Sequence, residues 1–138
     1  MSASICVLLG FTAWTIALIS IVLFYRTGLV LARKTPANSW TRGAQTWQDP
    51  GLITRMAHAH LNCLENLPLV AAVILSAQVM EQGAVTDGLA CVLLGLRIAQ
   101  STVHMIAVNH WMVFLRATLY TGQIAILAYW VLKLGGLV

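Results

Sequence analysis

Acidic side chains are nearly missing from this chain. Four Asp and Glu stand among 138 residues, and all charged residues together make up 9%. Soluble domains carry about 25% charged residues. With 59% apolar residues and a mean hydropathy of +0.83, water is excluded as the main solvent. A basic aromatic-studded face is missing too. The net charge of +4 comes from residues gathered mostly in one polar stretch, a pattern of membrane topology that excludes nucleic-acid binding. Only three cysteines occur, Cys6, Cys63 and Cys91, with no metal-ligand spacing. An odd number excludes a closed disulfide framework, so they read as small buried apolar residues. The N-terminus lacks the basic n-region of a signal peptide, and its apolar run from Ile5 to Tyr25 reaches the ~20 residues that cross a bilayer. Internal repeats and low-complexity segments are lacking.

What is present is one domain over 1–138 with four apolar stretches, predicted as membrane-spanning helices at about 4–25, 50–80, 87–108 and 112–134. Asp49-Pro50 reads as a carboxylate N-cap followed by proline at the first helical position. Thr86-Asp87 reads as a second N-cap, and Asn109 as a C-cap of the third span. Short connections after the second and third spans imply antiparallel neighbours, hence an all-α, up-down-up-down transmembrane four-helix bundle. The first loop holds Arg26, Arg33, Lys34 and Arg42, four of the eight basic residues, whereas the loop after span two has Glu81 and Asp87 and no base. Basic loops favour the cytoplasm, which places both termini on the non-cytoplasmic side. A bacterial inner membrane fits a short chain without retention signals.

Polar residues inside the spans fall into three stripes. Arg55, His58, Asn62 and Glu65 advance by three, four and three residues, so they share one helix face. Arg97, Gln100, Ser101 and His104 share a face of span three, and Arg116, Tyr120 and Gln123 a face of span four. A charge at the bilayer centre costs roughly 3 kcal/mol, so Glu65 and Arg97 must face protein or water and satisfy each other or a ligand. The stripes predict a polar seam, deepest at Glu65 and Arg97, that opens near Arg55, His104 and Arg116, with span one as apolar packing. Two readings stay open: a binding site, or inter-helix hydrogen bonds of about 0.6–2 kcal/mol each. Pro68 removes a donor to the Leu64 carbonyl and predicts a kink. His58, His60, His104 and His110 lack HxxxH or HxxEH spacing, so no metal or haem site is expected. His60 reads as a packing residue and His110 as a solvated loop residue. Trp40, Trp47 and Trp111 fit an interfacial belt.

The run His58-Ala59-His60-Leu61-Asn62-Cys63-Leu64-Glu65-Asn66-Leu67-Pro68 resembles the second-helix motif of the MAPEG family, which includes the microsomal glutathione transferases. Thr27-Gly28 through Arg33-Lys34 to Ala37-Asn38 is similar to that family's basic stretch after helix one, Asp49-Pro50 to its approach to helix two, and Arg116 with Tyr120 to its fourth-helix pair. The resemblance spans Thr27 to Gln123. It implies a homotrimer that holds glutathione between subunits and takes a hydrophobic small-molecule substrate from membrane lipid. It implies Arg116 as the catalytic, thiolate-stabilising residue and Asn62, Glu65 and Tyr120 as ligands of glutathione. Arg33, Lys34 and Arg55 suit the tripeptide's carboxylates, while His58, Arg97, Gln100 and His104 complete the candidate set. His58 and Leu61 stand where several members carry arginine, or arginine and glutamine. Gln100 and His104 stand where prostaglandin-E synthases carry histidine and tyrosine. The resemblance thus points to a transferase or peroxidase of oily electrophiles or lipid hydroperoxides rather than to eicosanoid synthesis. The alternatives are a non-catalytic scaffold or lipid-binding protein of the same fold and, further off, a four-span transporter using Glu65.

Overall fold

Backbone N–H and C=O groups inside a bilayer must be paired within the chain, so an apolar run crosses as a helix. The structure, a computed structural model describing residues 2–138, contains four such helices: α1 (Ala3–Leu31), α2 (Gly51–Val79), α3 (Gly83–Ile106) and α4 (His110–Leu134). All four are long and apolar enough to cross a membrane, and no strand occurs among the described residues. The protein is an integral membrane all-α bundle. At 1.5 Å per residue, the 29 residues of α1 span about 43 Å, against ~30 Å of hydrocarbon. Its last turns, including Arg26, therefore project beyond the apolar layer, although the sequence pattern assigned them to a loop.

Helix ends differ from expectation in instructive ways. Asp49 does not cap α2, whose N-cap is Pro50 without a side-chain bond. Its carboxylate is taken instead by Arg26, at 2.7 Å and 3.1 Å, and by the Trp40 indole N–H at 2.9 Å. Thr86 and Asp87 do not begin α3, which starts at Gly83. Asp87 Oδ1 reaches across the bundle and accepts from the Ser4 backbone N–H (2.8 Å) and hydroxyl (2.7 Å). A carboxylate thereby caps the positive end of α1 from another helix. Asn109 is the N-cap of α4, not the C-cap of α3, and accepts from the Met112 N–H at 3.0 Å. We expect Asp87→Ala to destabilise the bundle by about 1–2 kcal/mol, the scale of a lost cap, read as a lower unfolding midpoint in detergent. An unchanged midpoint would deny the clamp its role.

Both α1 and α2 end in a left-handed residue that is not glycine: Arg33 (φ 55°) and Glu81 (φ 58°). In each case the next N–H folds back to the helix, Lys34 to the Leu29 carbonyl and Gln82 to the Ala77 carbonyl, closing the last turn in Schellman fashion.

The core runs through Phe11, Leu18 and Val22 of α1, Met56, Cys63, Val70 and Ile74 of α2, Leu93 of α3 and Trp130 of α4. Helix α1 packs on α2 and α3, while α4 packs chiefly on α3 and lightly on α2. α2 continues unbroken through Pro68. Of the three cysteines only Cys63 is buried; Cys6 and Cys91 lie on exposed helix faces, because each falls on the side of its helix turned from the core. His60 packs toward α1, its Nδ1 lying 3.0 Å from the Thr15 carbonyl. His110 is exposed as the first residue of α4 rather than part of the loop.

Candidate functional site

The three polar stripes meet where α2, α3 and α4 adjoin, in the half of the bundle nearer the first loop. A cavity of about 250 Å³ opens there, lined by Asn62, Glu65, Asn66, Gln100, Val113, Arg116, Ala117 and Tyr120. Each helix supplies its share by periodicity: Asn62, Glu65 and Asn66 from one face of α2, and Val113, Arg116, Ala117 and Tyr120 from one face of α4. Five residues singled out in the sequence are thus brought together: Asn62, Glu65, Gln100, Arg116 and Tyr120.

Their partners set what the cavity can do. Gln100 is buried and its Oε1 accepts from Gln123 Nε2 at 2.9 Å, which ties α3 to α4 and fixes the floor. Arg116 Nη1 contacts His104 Nδ1, and Arg116 Nε is buried without a partner. Glu65 is exposed on the cavity side of α2 and makes no ion pair among the described residues. One wall therefore offers a carboxylate and another a guanidinium with spare donors, the complement of a zwitterionic ligand.

Arg97 departs from expectation. It forms no pair with Glu65; it is 1% exposed and turns toward α1, with its guanidinium 5.2 Å from the Phe11 ring centroid and Nη1 3.4 Å from the Asn62 carbonyl. Arg97 and Gln100 are three residues apart, so their directions on α3 differ by about 60°, enough at this edge of the shared face for Arg97 to meet α1 while Gln100 meets Gln123 of α4. Span one is consequently more than apolar packing, since it supplies the aromatic face on which the buried cation rests. The remaining candidates lie outside the cavity wall. Arg55 donates from Nε to the Met105 carbonyl at 2.8 Å, satisfying an orphan acceptor at the end of α3. His58 is exposed with its ring 6.2 Å from that of His104. Arg33 occupies the left-handed closing position of α1.

Asn66, Val113 and Ala117 were not anticipated. Asn66 follows Asn62 by four residues and bonds back to its carbonyl at 2.9 Å. Val113 and Ala117, themselves four residues apart, bracket Arg116 on α4. All three were legible as neighbours on faces already marked, but their small or neutral side chains gave no signal of their own.

No curated protein and no solved structure matches the chain. A family model described as MAPEG family matches residues 4–136. That match covers nearly the whole chain and coincides with four membrane-length helices whose second-helix and fourth-helix polar residues share one cavity; the chain belongs to the MAPEG family, membrane-associated proteins of eicosanoid and glutathione metabolism.

Proposed function

We propose that the protein is a membrane-bound glutathione transferase or peroxidase acting on hydrophobic electrophiles or lipid hydroperoxides. The observation that carries this reading is the convergence of Asn62, Glu65, Gln100, Arg116 and Tyr120 on one cavity. A free thiol with pKa near 8.5 is mostly protonated at neutral pH, and an adjacent guanidinium favours the nucleophilic thiolate. Arg116 serves that role, Glu65 receives the α-ammonium of the tripeptide, and Asn62 and Tyr120 orient it. In transfer, the thiol proton passes to solvent, the sulfur lone pair forms the new C–S bond, and the leaving group departs with its electron pair. Exposed Val113, Ala117 and Tyr120 let an oily second substrate approach from the bilayer.

At about 250 Å³ the cavity falls short of the roughly 300–1,000 Å³ usual for ligand sites. This fits a wall completed by a neighbouring subunit, as in the homotrimer that membership of the family implies. The basic first loop supports an orientation with the cavity end toward the cytoplasm and both termini opposite.

A purely structural seam is the rival reading, and Gln100–Gln123 and Arg55–Met105 do act as inter-helix bonds. It leaves the ion-pair-free carboxylate of Glu65 and the spare donors of Arg116 without a purpose. Titration calorimetry on the detergent-purified protein decides between them. Saturable glutathione binding is expected, weakened about tenfold in Glu65→Gln, which corresponds to roughly 1.4 kcal/mol for a lost charge-assisted contact. Absence of binding heat in the unaltered protein would reject the proposal.

A further inference from the structure

We infer that His104 is a positioning residue: its imidazole Nδ1 accepts a hydrogen bond from Arg116 Nη1 and holds that guanidinium against the cavity. The inference rests on the glutathione reading of the cavity and adds to it a residue that acts through Arg116 without lining the site.

Arginine has five donors and no acceptor, and it stays protonated in proteins. The ring nitrogen facing it must therefore be the acceptor. The imidazole is then neutral, with its one proton on Nε2. Nε2 is buried and has no hydrogen-bond partner, an arrangement that a residue kept only for packing would avoid, since leucine or methionine would fill the space without stranding a donor. The contact with Arg116 gives the imidazole a reason to be there.

The surroundings fit a holder of this kind. His104 lies one helical turn beyond Gln100 on α3, so its backbone is fixed by the same helix that forms the cavity floor. Arg55 on α2 is committed to the carbonyl of Met105, the residue after His104, and the His58 ring lies 6.2 Å from the His104 ring at 54°. With Arg116 on α4 and Arg55 and His58 on α2, the groups facing His104 are cations or potential cations, and a neutral ring is the form that lets Arg116 dock. Once Nη1 is held, Arg116 has no other protein hydrogen bond among the described residues, and with Nε buried the Nη2 donors are the ones left for a sulfur anion. Without the anchor, a long flexible side chain must find the sulfur unaided, and small misplacements of this sort cost up to ~100-fold in rate.

The test compares the full-length protein with His104→Leu and His104→Asn. Asparagine places a carbonyl oxygen near the position of Nδ1 and keeps the acceptor. Leucine is expected to diminish the ultraviolet thiolate absorbance of bound glutathione and to lower kcat by about 10–100-fold with a smaller change in KM; asparagine should restore most of both. A wild-type thiolate band in the leucine variant, or an asparagine variant no better than leucine, overturns the inference. A second measurement needs no glutathione. In 15N-histidine-labelled protein, the His104 signals, assigned by their loss in His104→Asn, should show the Nε2-protonated tautomer and a Nδ1 shift that moves in Arg116→Leu. An Nδ1-protonated ring, or no response to that substitution, also overturns it. If the unaltered protein binds no glutathione, the transferase reading fails, and the tautomer alone then decides whether His104 holds Arg116.

Discussion

Leucine in place of Arg116 should lower glutathione-dependent turnover by about 10²–10³-fold, the scale of removing one preorganised donor to a reacting anion. The loss should fall chiefly on kcat with a smaller rise in KM, because the guanidinium holds the bound sulfur as thiolate before the chemical step while the rest of the tripeptide is bound elsewhere. Calorimetry should therefore still detect glutathione, held by Glu65, Asn62 and Tyr120. Bundle stability should change little: Arg116 is only half-buried and has His104 as its one hydrogen-bond partner. Turnover unaltered in Arg116→Leu would remove this residue from the chemistry, whatever the fate of the rest of the cavity. Lysine is expected to recover part of the rate, since it supplies charge without the planar fork that meets His104 and the sulfur together.

The second large effect is expected far from the cavity. Asp49→Ala should destabilise the protein by about 2–3 kcal/mol, somewhat less than the roughly 3–5 kcal/mol of a fully buried ion pair because Arg26 keeps part of its exposure. The Asp49 side chain is 2% exposed and that of Arg26 27%, so the alanine variant leaves a poorly hydrated guanidinium without its counter-ion. It also strands the Trp40 indole N–H and unties the first loop from the end of α1, where Arg26 stacks 5.3 Å from the Trp40 ring centroid. Asparagine should be milder, because its amide oxygen still receives Trp40. Thermal unfolding in detergent with limited proteolysis of the first loop checks this: equal midpoints and equal cleavage rates for Asp49→Ala would show that the loop is held by other means.

The membrane helices could be read directly, because bilayer thickness and backbone hydrogen bonding leave an apolar run few alternatives. The stripes could be read for the same reason: Asn62, Glu65, Arg116 and Tyr120 meet because helical periodicity puts them on facing sides. The failures share one cause. Asp49, Asp87 and Asn109 were read as local caps and Arg97 as facing Glu65 or a ligand, and in the fold Asp49, Asp87 and Arg97 serve other partners far along the chain. Asp49 answers to Arg26 and Trp40, Asp87 to Ser4, and Arg97 to Phe11 and the backbone of Asn62. Capping preferences describe a helix by itself. A polar group with few polar neighbours bonds wherever the packed bundle brings one, and that depends on inter-helix geometry that periodicity does not encode.

Within α4 the only buried residues are Gln123, Leu127 and Trp130, all in its distal portion. The stretch from His110 to Gly122, which carries Arg116 and Tyr120, has none. Within one subunit, among the described residues, the side-chain hydrogen bonds that tie this helix to its neighbours are Gln123–Gln100 and Arg116–His104, and the interior formed by α1, α2 and α3 does not depend on its first half. Substitutions at exposed Val113 or Ala117 are then expected to alter the cavity wall while leaving the packed interior untouched.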